Sequence, residues 1–247
     1  MSIRKQLIIR RFRRFRALHG CVYWLTRKRE CVETLTQRLT VNSNKVAMTD
    51  YRERIRDYIR KEAKPVDKFG HQPRLYTLTR KIGKDLSYDD DVVFAAAWLH
   101  DLGVFVGHRP EDLQALAAWD NTAYAMAKAP EVLAKAGYPA EKERAVVEAI
   151  RTHQPHCAPS TLEGEILRDA DILEQLGAIG IMRGVCKIGR DTRFPDFTSA
   201  AGVLRKAMAT LPAQLRLAPA RKLAEERISL LESFLTSLDS EAEGELY

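Results

Sequence analysis

Two adjacent residues set the chemistry open to this chain. His100 and Asp101 close the run Ala95-Ala96-Ala97-Trp98-Leu99-His100-Asp101-Leu102-Gly103, in which apolar residues lead straight into an imidazole and a carboxylate. Packing alone gives no reason for an acid there, because an unpaired buried carboxylate costs several kcal/mol or neutralises itself. The pair is expected to hold a metal ion. Neighbouring helical residues point roughly 100° apart, so both can reach one ion only near a helix end, where Gly103 supplies freedom. Other groups could join such chemistry. His71 precedes Pro73 at a helix start; taken alone it reads as a cap or surface histidine. His108 lies eight residues beyond His100. His153 and His156 follow the next long helix, where His153 reads either as a site residue or as a C-terminal histidine favoured by the helix dipole. Asp169, Asp171 and Glu174 sit within an otherwise apolar stretch, so at least one acid needs a cationic partner.

The elements that must carry these groups read as helices throughout. Tyr51, Ile55, Tyr58 and Ile59 share one face of a helix capped by Thr49 or Asp50 and ended by Pro65. A second helix runs from Pro73 to Gly83. Asp89-Asp90-Asp91 fill the first turn of a third, where acids satisfy free N–H groups, so they read as capping and not as catalytic residues. Residues 113–128 are apolar nearly all round and predict a central helix, with Asp120 and Asn121 either bonded within the core or facing a polar site. Further helices are expected over 139–153, from Thr161 through Ile181, and over about 199–210 and 219–238. No strand and no repeat is evident. The reading is all-α, a compact bundle of about seven to eight helices over 48–238, with a polar, frayed tail over 239–247.

Composition separates the first residues from the rest. The 247-residue chain carries a formal charge of +7, but residues 1–47 hold 12 basic and two acidic side chains, and the remainder is net −3. Charge therefore gives no reason to expect nucleic-acid binding by the body. The basic segment also carries Ile3, Leu7, Phe12, Phe15, Leu18 and Val22 at nearly helical spacing. Three readings stand: an upstream extension of the reading frame with the natural start at Met48, an organelle presequence, or a basic arm for a membrane surface or nucleic acid. Four cysteines without a Cys-x-x-Cys pair suit a reducing compartment, and no apolar run reaches the roughly 20 residues of a membrane span. The expected location is cytoplasmic.

The order His71, then His100-Asp101, then Asp171, on an all-helical chain, resembles the HD-domain superfamily of metal-dependent phosphohydrolases. The resemblance covers about residues 50–235. Its most informative words are Ala97-Trp98-Leu99-His100-Asp101-Leu102-Gly103 and Leu167-Arg168-Asp169-Ala170-Asp171-Ile172-Leu173-Glu174-Gln175-Leu176-Gly177-Ala178-Ile179-Gly180. The second is similar to the Asp-Ala-Asp-x-Leu-(Asp/Glu)-x-Leu-Gly-Ala-x-Gly segment of one bacterial branch, some members of which resemble nucleoside-triphosphate pyrophosphohydrolases. Two departures withhold that nucleotide specificity. Relatives often read His-Asp-x-x-His where this chain has His71-Gln72-Pro73-Arg74-Leu75, and Arg where it has Ile172.

The resemblance implies a metal set of His71, His100, Asp101 and Asp171, with Asp101 also orienting or deprotonating the attacking water. Two imidazoles, two carboxylates and water suit octahedral Mn²⁺, Fe²⁺, Co²⁺, Ni²⁺ or Mg²⁺ better than closed tetrahedral zinc. One ion is implied, or two if His153 or His108 joins. Asp169 lies on another side of its helix and is expected to be a structural hydrogen-bond acceptor. The substrate implied is a small phosphorylated metabolite, such as a nucleotide. Arg74, Arg109 and Arg183 are the candidate phosphate contacts, and each also reads as an ordinary surface residue. Two other classes stay open: an HD-type diiron oxygenase, and a non-catalytic metal- or nucleotide-binding module.

Overall fold

The computed structural model describes residues 51–189 and 194–246. The basic segment 1–47, the Thr49-Asp50 cap and residues 190–193 lie outside the described residues.

An amphipathic helix, α1 (residues 51–62), buries Tyr51, Ile55 and Ile59 at four-residue spacing. A 3₁₀ turn (Val66–Gly70) leads directly into α2 (His71–Ile82), and α3 (Asp90–Leu99) follows. A second 3₁₀ turn (Leu102–Val104) continues from α3. Beyond it come α4 (Leu113–Ala117), α5 (Asn121–Ala136), α6 (Ala140–Arg151), α7 (Leu162–Leu173), α8 (Gly177–Val185), α9 (Phe197–Thr210) and α10 (Ala218–Ala242). No strand occurs among the described residues, only an isolated bridge between Val106 and Arg109.

The centre of the bundle is α3. All eight residues from Val92 to Leu99 are buried, and α2, α6 and α7 pack around them. A helix that is apolar on every side has to be covered on every side. Its N-terminus is anchored by charge. Asp89 caps it by accepting from the Asp91 and Val92 amides. Arg52 of α1 reaches Asp90 and Asp91, Tyr76 of α2 donates to Asp90, and Lys142 of α6 binds Asp89 and Asp91. The three acids thus cap α3 and join it to α1, α2 and α6.

Among the described residues, ten α-helices replace the expected seven to eight because two predicted helices are each broken. The stretch 113–128 divides into α4 and α5, and α4 has no buried residue. It is not the central helix its apolarity suggested. Asp120 ends the break as an exposed N-cap, accepting from the Ala123 amide, and Trp119 Nε1 donates to the Gly103 carbonyl. The stretch 161–181 breaks at Gly177, whose φ of +67° favours glycine and whose place leaves about 3.0 Å between a would-be Cβ and Arg227. At the other end of the chain, α10 runs past Leu238 to Ala242, and Asp239 pairs with Arg205.

A buried latch joins α7 to the start of α10. Asp169 is fully buried and accepts from the Arg216 and Leu217 amides at 3.0 and 2.8 Å. Arg168 beside it donates to the carbonyls of Pro155 and Gln214. This is the acceptor role expected of Asp169, and burial still pushes its carboxyl upward despite the two amides.

Candidate metal centre

His100 is the C-cap of α3, and its amide still bonds to the Ala96 carbonyl. Asp101 then leaves helical geometry (φ −99°, ψ 16°), in the bridge region often occupied by active-site residues. That change of direction lets two consecutive side chains face one point. The 3₁₀ turn after them is pressed against α5: a Cβ on Gly103 would lie 2.5 Å from the Asn121 carbonyl oxygen. His71 approaches from the first turn of α2, and Asp171 from α7.

The donors converge closely. His71 Nε2 lies 3.2 Å from His100 Nε2, 3.5 Å from Asp171 Oδ1 and 3.7 Å from Asp101 Oδ2. Asp101 Oδ1 lies 3.7 Å from His100 Nε2. Donor atoms of His71, His100 and Asp101 all fall within 4.8 Å of one another. Adjacent ligands of an octahedral ion bound at 2.0–2.2 Å stand about 3 Å apart, so the spacing suits one cation.

Hydrogen bonds behind the rings fix the faces they present. His100 Nδ1 donates to the Ala97 carbonyl at 3.0 Å, and His153 Nδ1 to the Ile150 carbonyl at 2.6 Å. His71 Nδ1 meets the Glu174 carboxylate at 3.3 Å. Arg183 Nη1 is equally near His71 Nδ1, but a guanidinium only donates; its partner is the Glu174 carbonyl oxygen at 3.4 Å. Each ring nitrogen that donates backwards leaves Nε2 with a lone pair facing forward, the arrangement typical of metal-bound histidines. Two such lone pairs 3.2 Å apart repel unless a cation or proton lies between them. Burial holds His71 and His153 below the usual imidazole range, which keeps them neutral. Burial alone would raise the Asp101 carboxyl, but His100, His71, His153 and Arg183 outweigh it and hold the group below the usual carboxylate range. A neutral His71 facing an ionised Asp101 carboxylate is in the form that binds a metal.

The remaining candidates divide. His153 is buried with its ring 5.0 Å from that of His100, and its Nε2 meets the Gln154 amide at 3.0 Å. His108 faces elsewhere, with its ring nitrogens on Tyr124 and Glu62 at 2.9 and 3.1 Å. His156 is exposed. Arg74 and Arg183 both flank Glu174 behind His71, whereas Arg109 sits in the turn closed by the Phe105 carbonyl. Glu174, 1% exposed, was missing from the ligand and positioning residues expected from sequence. Its one sequence signal is its place three residues after Asp171, on the same helical face.

Residues 69–176 match the family model of the HD domain. The segment spans the whole donor cluster from His71 to Glu174. This chain carries an HD domain. Solved structures agree on the fold. Bacillus subtilis YpgQ in complex with ADP is 23% identical with a TM-score of 0.59, covering 77% of this chain and 97% of its own. An HD-superfamily hydrolase from Bacillus thuringiensis is 20% identical with a TM-score of 0.59, covering 80% and 98%. A predicted HD-superfamily hydrolase from an uncultured Thermotogales bacterium is 25% identical with a TM-score of 0.53, covering 76% and 90%. No curated protein sequence matches the chain. His71, His100 and Asp101 share one point in this segment, and no helix among the described residues is long and apolar enough to cross a membrane.

Proposed function

We propose that this HD domain is a metal-dependent phosphohydrolase acting on a small phosphorylated metabolite, with a nucleotide as the leading candidate. The observation that carries the reading is the convergence of two outward-facing Nε2 atoms with the carboxylates of Asp101 and Asp171, each within 3.7 Å of a histidine donor. The ADP held by YpgQ, a protein of similar fold, supports the nucleotide class. His71, His100, Asp101 and Asp171 would hold Mn²⁺, Fe²⁺, Co²⁺, Ni²⁺ or Mg²⁺. Such an ion, when bound, lowers the pKa of water from about 15.7 towards 7 and polarises a phosphoryl oxygen.

The chain's own residues do the rest. Asp101 stays ionised beside the cluster and can orient a water or take its proton for an in-line attack. The rings need no rearrangement, because Ala97, Ile150 and Glu174 already hold them. Of the three arginines, Arg183 touches a cluster residue and keeps part of its side chain exposed, so it is the proposed phosphate contact. Arg74 and Arg109 are the secondary candidates.

His153 supplies a further imidazole, which a two-ion centre would need, and this keeps a diiron oxygenase as the second reading. Metal analysis of the full chain, run beside phosphate-release assays with Mn²⁺, Mg²⁺, Ni²⁺ and Co²⁺, separates the two. Metal-dependent release that vanishes in Asp101→Ala is expected. Two irons per chain with no phosphate release would replace the hydrolase with the oxygenase, and tight metal binding without any turnover would leave a binding module.

A further inference from the structure

Two cavities adjoin where α2 packs against α10. The first, about 310 Å³, has Arg74, Lys81, Arg227 and Glu174 among its lining, over an apolar floor that includes Leu78 and Ile179. The second, about 420 Å³, has Lys81, Lys84 and Lys222 against the single acid Glu226. Lys81 belongs to both. Five cations thus share one groove with two acids, of which Glu174 pairs with Arg74 and His71, leaving the three lysines facing Glu226 alone. Lys81, Lys84 and Lys222 are exposed and form no ion pair among the described residues. Arg227 is held in place by the Leu173 carbonyl at 2.5 Å. By contrast, Lys128 and Lys135 bracket Glu131.

The groove lies behind His71. Glu174 bonds to Nδ1, while the donor cluster is formed on the Nε2 side. Lys81 stands ten residues beyond His71 on α2, roughly 15 Å along the axis, so an anion held by Lys81, Lys84 and Lys222 is separate from one at the cluster. Clustered like charges in a cleft focus positive potential and gain from a bound counter-charge. Guanidinium and ammonium groups together suit phosphate oxygens. Two cavities joined at one lysine suit linked phosphates better than a single phosphate. A long nucleic acid does not suit the site, because residues 48–247 are net −3.

We propose that the α2–α10 groove is a second anion site that takes an oligophosphate, free or carried by a nucleotide, without help from a metal ion. The test is titration calorimetry of the full-length chain in EDTA, with sodium tripolyphosphate as the probe. The variant K81A/K84A/K222A is compared with K61A/K64A/K206A, which removes the same charge from exposed lysines elsewhere and corrects for attraction to residues 1–47. Binding at least tenfold weaker in the groove variant, unchanged in the control and unchanged in His100→Ala, is expected. Equal loss in both lysine variants, retention in the groove variant, or loss in His100→Ala overturns the proposal. A parallel ATP arm distinguishes the sources: tighter binding than tripolyphosphate assigns the apolar floor to a base, and equal binding assigns the site to phosphates alone. Because no metal is present, failure of this site is distinct from failure of the hydrolase reading.

Discussion

Glu174 does for His71 what main-chain carbonyls do for His100 and His153. It accepts the backward Nδ1 proton and so aims Nε2 at the cluster. Outer partners of this kind commonly set metal affinity within a factor of 10–100. Glu174→Ala is therefore expected to weaken Mn²⁺ binding by about 10–100-fold, while Glu174→Gln, whose amide oxygen can still accept, loses less. Calorimetric Mn²⁺ titration with circular dichroism on each variant checks this, and equal affinity in wild type and alanine variant would remove the orienting role. The two halves of this site differed in legibility. His100-Asp101 could be read because ligand types follow an apolar run with no packing reason for an acid. Glu174 could be read only as one of three acids in an apolar stretch, because the residue it positions is 103 residues away in the chain.

At the scale of the element, α3 works because both of its ends are fixed. At its start, hydrogen bonds from Lys142, Tyr51 and Arg52 outweigh the effect of burial and hold Asp91 down to about 2. A carboxyl with a depressed folded value stabilises the fold above its unfolded value near 4, and that contribution fades as pH falls through the folded value. Asp91→Asn should cost about 2 kcal/mol at pH 7, with the difference from wild type shrinking between about pH 5 and pH 1. Urea unfolding at pH 7 and pH 2 reads it directly; a pH-independent difference would assign the loss to packing. At the other end, Gly103→Ala should displace the Asn121 backbone, lowering stability and Mn²⁺ affinity together, because the intruded turn follows Asp101 directly. A stable variant with normal Mn²⁺ affinity would show that the turn tolerates a methyl. The sequence predicted α3 well because an unbroken apolar run has one stable environment. It overextended the helices at 113–128 and 161–181, where the breaks depend on long-range contacts: Trp119 bonding to Gly103, and Gly177 lying against Arg227.

Across the whole molecule, the donor cluster draws on three elements that are distant in sequence. His71 begins α2, His100 and Asp101 end α3, and Asp171 sits on α7, which Asp169 and Arg168 latch to the chain leading into α10. The all-α class was legible from periodicity, whereas this latch was not, since it pairs a side chain with amides 47 and 48 residues later. An ion bound by these residues joins the α2, α3 and α7 segments, which the unfolded chain cannot hold in place. Binding to the folded state alone stabilises it by about 2.7 kcal/mol at 100 times the dissociation constant. For a domain of this size that corresponds to about 5–10 °C in Tm. Mn²⁺ should therefore raise Tm by this amount in wild type, EDTA should reverse it, and His100→Ala should show no shift. Groove lysine variants should keep the full shift, because they lie behind His71 and hold no donor. A wild-type Tm indifferent to Mn²⁺ and to the other four cations would mean that the convergence of Nε2 atoms and carboxylates serves packing and not an ion, and the hydrolase reading would fall with it.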